Sequence, residues 1–259
     1  MKLPIYQIDA FASEPFGGNP AAVVPLDRWL PDARMQAIAQ ENNLSETAFF
    51  VAEKGAYRIR WFTPLEEVDL CGHATLAAAF VLFTELGYRG DMIRFLSRSG
   101  DLKVTGDGQL LTLDFPSQPP LPCAAPGILV EGLGRQPVEC HQGEDYLAVF
   151  ASQEDIAAIE PDFAVLAKLD RRGVIVTAPA EEYDFVSRFF APALGVPEDP
   201  VTGSSFTQLA PYWSHRLGKP QMTARQVSRR GGDVVCELAG NRVLISGPAV
   251  KFLEGWIEA

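Results

Sequence analysis

Few side chains of this chain can exchange a proton near neutral pH in a setting that a reaction could use. There are three histidines, His73, His141 and His215, and only His73 adjoins an unusual turn. That turn, Val68-Asp69-Leu70-Cys71-Gly72-His73-Ala74-Thr75, runs straight into the apolar segment 76–86. A turn of small and polar residues that opens a helix leaves backbone N–H groups unpaired and carries about half a positive charge, so it attracts anions. A second such stretch, Pro197-Glu198-Asp199-Pro200-Val201-Thr202-Gly203-Ser204-Ser205, feeds the apolar segment 206–217, and Gly203 lies 131 positions after Gly72 (203 − 72).

Cys71 suggests thiol chemistry, because two-base racemases place a thiol on each side of the reacting carbon. The matching position in the second stretch is Thr202, each immediately preceding the aligned glycine. A threonine hydroxyl is no base near neutral pH, so a two-thiol mechanism is excluded and Cys71 is expected to serve packing. Glu46 and His73 remain as groups able to exchange protons, with Asp199 as a third. Each also has a plain structural role to weigh against this. Glu46 could be a solvated loop carboxylate, His73 a backbone-bonded residue at a helix start, and Asp199 and Ser204 helix caps. Ser45-Glu46 has its counterpart in the second half close to Arg171-Arg172, so the carboxylate is not a duplicated structural feature.

Period-two alternation predicts strands over 5–11, 21–26, 47–52 and 57–62. A helix is expected over 31–40, with Pro31 near its first position and Asp32 in the first turn. The segment from Gly72 to about 86 is apolar nearly all round, the mark of a helix buried on every side. Strands 91–97, 102–105 and 110–115 follow, separated by turns at Ser99-Gly100-Asp101 and Gly106-Asp107-Gly108. The proline-rich stretch 116–122 reads as a linker, which predicts domains 1–118 and 119–259.

The second half echoes the first. Phe95-Leu96-Ser97-Arg98-Ser99-Gly100 matches Gln226-Val227-Ser228-Arg229-Arg230-Gly231, and Arg60-Trp61-Phe62-Thr63-Pro64 matches Arg188-Phe189-Phe190-Ala191-Pro192. The expected fold is α+β: two pseudo-symmetric domains, each a barrel-like sheet wrapped around one central helix, 73–86 and 204–217. Such a pair should bring the two helix starts to a cleft between the domains, where ligands usually bind.

A net charge of −11 argues against nucleic acid and against anionic membrane surfaces. An apolar fraction of 47% is enough for a packed core. No apolar run is long enough to span a bilayer, and Met1-Lys2-Leu3-Pro4 does not begin a signal peptide, so a cytoplasmic location is expected. Cys71, Cys123, Cys140 and Cys236 are scattered without a CxxC pair, which suits reduced thiols better than disulfides or a zinc site.

Four ordered motifs spanning almost the whole chain resemble the PhzF family of phenazine-biosynthesis-like isomerases. They are Asp9-Ala10-Phe11 with Phe16-Gly17-Gly18-Asn19-Pro20-Ala21-Ala22-Val23-Val24, then Asn43-Leu44-Ser45-Glu46-Thr47, then Cys71-Gly72-His73-Ala74-Thr75, then Glu198-Asp199-Pro200-Val201-Thr202-Gly203-Ser204. The resemblance implies the diaminopimelate epimerase fold and a biosynthetic isomerase that moves a proton between ring carbons without cofactor or metal. It implies Glu46 as the acid/base, with His73 and Asp199 beside it, and Asn19, Ser45, Gly72, Gly203 and Ser204 as substrate contacts. It also implies a small, cyclic carboxylate substrate and a homodimer. Many members follow the second glycine with Ser-Ala-His, where this chain has Ser204-Ser205-Phe206, so the substrate does not carry over. Two other readings stand beside this one: a catalytically silent binder of small molecules or proteins, and an amino-acid epimerase, which Thr202 disfavours.

Overall fold

Alternating apolar and polar residues dominate the chain, and strands dominate the structure. The computed structural model describes residues 1–107 and 110–259. The turn expected at Gly106-Asp107-Gly108 therefore lies partly outside the described residues. By its internal contacts the chain divides into two units, Met1–Asp114 with Ser246–Ala259, and Phe115–Ile245. The division expected after residue 118 placed everything beyond it in the second domain, whereas the final 14 residues (246–259) belong to the first unit. The physical reason is pairing: the last strand runs antiparallel to the first, from Lys2↔Glu258 to Ala10↔Ala249. The change falls at Ser246-Gly247-Pro248, a Gly-Pro step through which the strand nevertheless runs unbroken.

The first unit comprises β1 (Lys2–Ala10), β2 (Asn19–Leu26), α1 (Asp32–Asn42), β3 (Glu46–Glu53), β4 (Ala56–Phe62), β5 (Glu67–Val68), α2 (Gly72–Phe80), β6 (Met92–Ser97), β7 (Gly100–Asp107) and β8 (Leu110–Pro116). The second comprises β9 (Leu121–Pro122), α3 (Gly127–Leu133), β10 (Glu139–Gln142), β11 (Tyr146–Val149), α4 (Gln153–Ala157), α5 (Phe163–Leu166), β12 (Val174–Pro179), β13 (Phe185–Ala191), β14 (Val196–Asp199), α6 (Phe206–Leu217), β15 (Gln221–Gln226) and β16 (Gly232–Ala239). The final strand, β17 (Arg242–Glu258), enters the first unit at Ser246.

In the first unit β1 pairs with β2 and β17, β2 with β3, β3 with β4, β4 with β6, β6 with β7, β7 with β8, and β8 with β17. That closes a ring of eight strands. Inside it lies α2, whose residues Gly72 to Ala79 are all buried, as its all-round apolar pattern requires. The helix expected to reach residue 86 changes hand-hold at its end. Val81–Glu85 forms a π turn, in which the Leu86 N–H donates to the Val81 carbonyl at 3.0 Å. Outside the ring, α1 buries Met35, Ile38 and Ala39 against Val24 and Phe49.

The second unit repeats this plan. Its pairs β10–β11, β11–β12, β12–β13, β13–β15 and β15–β16 alternate antiparallel and parallel in the same order as β1–β2, β2–β3, β3–β4, β4–β6 and β6–β7. Pairing register fixes the equivalences. Phe62 opposes Thr47 as Phe190 opposes Val174, and Thr47 pairs with Ala22 as Val174 pairs with Tyr146. Glu46 therefore corresponds to Gly173, Ser45 to Arg172 and Ala21 to Asp145. The register also corrects one of the sequence echoes. Phe95 faces Tyr57 where Ala224, not Gln226, faces Phe185. The turn after β6 holds two residues between Ser97 and Gly100, and that after β15 holds five between Gln226 and Gly232, so the similar turn motifs are not equivalent in pairing.

The helix α6 is entered through a 3-10 turn, Gly203–Ser205. Pro211 lies inside it and has no N–H to offer the Thr207 carbonyl one turn back. The N–H of Gln118, in the proline-rich stretch, donates to that carbonyl instead at 2.9 Å. Trp213 stacks on Phe185 with centroids 5.3 Å apart, and its Nε1–H donates to Thr177 Oγ1 at 3.0 Å.

Leu76 is fully buried on α2, while Leu65 is 77% exposed. Leu76→Ala should lower the unfolding free energy by about 2–5 kcal/mol, and Leu65→Ala by less than about 0.5 kcal/mol, in urea titrations.

Candidate active site

Within the first unit the starts of two strands and of the central helix converge. Asn19 opens β2 and Glu46 opens β3, side by side in a parallel pair in which Ala21 faces Glu46. Cys71 and His73 stand at the start of α2. Asn19 Nδ2 lies 3.2 Å from His73 Nδ1, and Cys71 Sγ lies 3.5 Å from the same nitrogen. Ser45 Oγ donates to Asn19 Oδ1 at 3.4 Å. These contacts hold the imidazole by its Nδ1 edge and turn Nε2 toward Glu46, whose Oε2 is 3.1 Å away. The side chains of His73 and Glu46 are only 6% and 15% exposed. Although close, Nε2 and Oε2 are not aligned as a hydrogen bond, and among the described residues neither atom has a hydrogen-bonding partner. A buried ion pair whose two atoms make no aligned hydrogen bond leaves hydrogen-bonding capacity unused, which is costly for a fold and useful for a ligand.

Cys71, His73 and Glu46 offer donor atoms within 4.8 Å of one another and so form a possible metal-ligand set. The ring stands between the other two, however, with Nδ1 toward the thiol and Nε2 toward the carboxylate. A single ion would have to choose one edge of the imidazole, which makes the trio a poor tetrahedral cage.

Opposing influences act on His73. Burial favours the neutral imidazole, while Cys71 and Glu46 favour the imidazolium and prevail, so its pKa lies well above the ordinary 6.5. Burial pushes the Cys71 thiol up to about 11, so it is uncharged near neutral pH. The anion that counts for His73 there is the Glu46 carboxylate. Cys71 is buried, and its hydrogen is not readily lost; it packs and steadies the ring.

The second unit assembles the other sequence candidates. Asp199 ends β14, and Thr202 precedes the 3-10 turn that contains Gly203 and Ser204. Thr202 Oγ1 donates to Asp199 Oδ2. The fully buried Gln226 braces this loop twice, accepting from the Thr202 N–H at 2.9 Å and donating to the Asp199 carbonyl at 2.6 Å. Ser204 Oγ accepts from Arg172 Nη1 at 2.9 Å. Neither Thr202 nor Ser205, the residues at the cap positions, caps the helix with its side chain. Phe206, the departure from the usual motif, is fully buried with its ring 6.1 Å from that of Phe185, so it fills the core of this unit. The sequence assigns no role to Gln226 or Asp145, and it singles out Arg172 only as lying close to the counterpart of Ser45-Glu46; the pairing register equates Arg172 with Ser45 and Asp145 with Ala21.

A ring of strands around a buried helix, with a carboxylate and an imidazole at the helix start, defines a candidate site on an epimerase-like fold. The comparisons with known proteins agree. Residues 8–255 match the family described as phenazine biosynthesis-like protein, PhzC-PhzF, and the chain belongs to that family. An uncharacterized isomerase of Pseudomonas aeruginosa is 55% identical, with each chain covered in full. The crystal structure of a PhzF-family phenazine biosynthesis protein from Enterococcus faecalis superposes with a TM-score of 0.98 at 48% identity, again over 100% of both chains. A hydroxyproline epimerase of Agrobacterium vitis shares the fold alone, with a TM-score of 0.61 at 10% identity over 99% of this chain and 92% of its own. The protein is thus a PhzF-like isomerase. Among the described residues no helix is long and apolar enough to cross a membrane.

His73 takes up its proton more readily in the folded chain than in the unfolded one. That stability is fully present below the unfolded value, near 6.5, and is lost as pH rises through the raised folded value. The stability advantage of the wild type over His73→Gln should therefore be greatest below pH 6.5 and shrink as pH rises, in urea unfolding at several pH values. A difference independent of pH would contradict the raised value.

Proposed function

We propose that the protein moves a proton between two carbons of a small, cyclic carboxylate, with Glu46 as the acid/base. The observation that supports this best is the pair of buried atoms, Glu46 Oε2 and His73 Nε2, held 3.1 Å apart without a hydrogen-bonding partner. A carboxylate kept dry, and turned toward a protonated imidazole, is equipped to accept a proton from carbon and to return it. The proton leaves a C–H bond for Glu46 and is delivered to another carbon of the same molecule. The substrate gains and loses one proton and no electrons, so the step needs no redox cofactor. A positioned acid/base of this kind typically contributes ~10²–10⁴-fold in rate.

His73 stabilises the negative charge that develops as the C–H bond breaks, and the backbone N–H groups at Gly72 add the pull of a helix start. Asn19 and Ser45 fix the ring and line the approach to it. Following the family resemblance, Asp199, Gly203 and Ser204 of the second unit are substrate contacts, with Ser204 and the Gly203 helix start receiving a carboxylate. Asp199 is the substrate's second polar anchor. A homodimer and a cytoplasmic setting belong to the same proposal.

Incubation with a panel of cyclic amino and hydroxy carboxylates in D₂O should place deuterium on a substrate carbon, read by mass spectrometry. Glu46→Gln, which preserves shape and removes the base, should cut that exchange by ~10²–10⁴-fold while the variant still binds. Undiminished exchange in Glu46→Gln would overturn the assignment. Binding by the wild type without exchange of any substrate hydrogen would favour the silent binder.

A further inference from the structure

Ser204 does not stand alone. Its hydroxyl oxygen accepts from Arg172 Nη1 at 2.9 Å, and the same guanidinium grips Asp145 through Nε at 2.9 Å and through Nη2 at 2.5 Å. Asp145 is completely buried. Its Oδ2 also accepts from Gln208 Nε2 at 3.1 Å, and because a carboxylate only accepts, this contact fixes which way the Gln208 amide points. Arg172 rests on the Phe189 ring, 5.4 Å from its centroid. Gly143 leaves the room Gln208 needs: a Cβ there would sit 2.2 Å from Gln208 Oε1.

The same fold in the first unit manages without any of this. By register, Asp145 corresponds to Ala21 and Arg172 to Ser45, and by the matched helix starts Gln208 corresponds to Ala77 and Ser204 to His73. Both Ala21 and Ala77 are fully buried. One copy of the scaffold thus has two alanines and a serine at these positions, while the other has a fully buried carboxylate and amide joined to a guanidinium that is 26% exposed. Burying an ion pair is a poor way to gain stability, since well-packed apolar residues do as well or better. The network therefore has a purpose that the fold itself does not require, and it reaches outward through Arg172 Nη1, to Ser204 Oγ at 2.9 Å and to the Glu144 carboxylate at 3.4 Å.

We propose that Arg172, held by Asp145 and Gln208, is a positioning residue that makes Ser204 a dedicated hydrogen-bond donor for the substrate's carboxylate. With Arg172 occupying a lone pair on Oγ, the Ser204 hydroxyl has its proton free to donate elsewhere, and an anion is its best acceptor. The guanidinium, largely neutralised by Asp145, acts through the serine. This rests on the carboxylate reading given above and adds the device that selects the charged form.

Calorimetric titration with 3-hydroxybenzoate and with its neutral amide, 3-hydroxybenzamide, tests it. The wild type should bind the acid about tenfold or more tightly than the amide, and Arg172→Met should remove most of that preference while leaving amide binding within about twofold. In a Ser204→Ala background the further change Arg172→Met should cost less than about twofold, because the two residues act as one. Asp145→Asn should weaken the acid in the same direction and serves if Arg172→Met fails to fold by circular dichroism. No preference for the acid in the wild type, or no binding of either probe, would overturn the carboxylate reading and this proposal with it. A preference that survives Arg172→Met, or a loss just as large in the Ser204→Ala background, would overturn this proposal alone.

Discussion

Burial of the helix α2 is the constraint from which the rest of the first unit follows. A segment apolar on every side must be surrounded, and eight strands closing into a ring accomplish this while leaving their own edges paired. A helix so enclosed still has a start whose first N–H groups find no partner within it. That polar end has to sit where other polar groups can meet it, and β2 and β3 begin beside it, bringing Asn19 and Glu46. Chemistry collects there because the helix start is the one place in the core where polar groups are needed anyway.

Duplication then allowed the two copies to diverge. The equivalent of Glu46 is Gly173, where a Cβ would meet Phe189 Cζ at 2.6 Å, so the second unit as packed has no room for the carboxylate. The equivalent of His73 is Ser204, which no longer titrates in a useful range. In exchange the second unit holds a buried Arg172–Asp145 pair and a loop at Asp199 braced by Gln226. One copy keeps a carboxylate facing an imidazole; the other keeps a hydroxyl facing a guanidinium. The fold tolerates both because strand pairing and the buried helix, rather than these polar residues, hold it together.

How much of this the sequence showed depended on whether the signal was local. The strands and the α2 helix were legible because periodicity is a local property. So was the helix-start pair around Gly72 and Gly203. The return of residues 246–259 to the first unit was not legible, since a long strand looks the same whichever sheet receives it. The sequence places the counterpart of Ser45-Glu46 close to Arg171-Arg172, one residue short of the Arg172-Gly173 that the pairing register gives. Asp145 and Gln208 lie 63 positions apart, and nothing along the chain announces that they touch.

The candidate site shows the same division. Glu46 and His73 could be singled out by type and by the turn beside them, but not their relation. Residues 27 positions apart are brought to 3.1 Å by a parallel strand pair and a helix start that must meet. That same contact settles the standing of Cys71. Its thiol is held at the Nδ1 edge with a pKa pushed up to about 11, a setting that opposes ionisation. A thiol that cannot ionise is no proton carrier, whatever its place in the turn. Sequence symmetry had already demoted Cys71 through Thr202; the geometry does so independently, through the desolvation of the sulfur itself. Two unrelated physical arguments thus converge on the same demotion of Cys71.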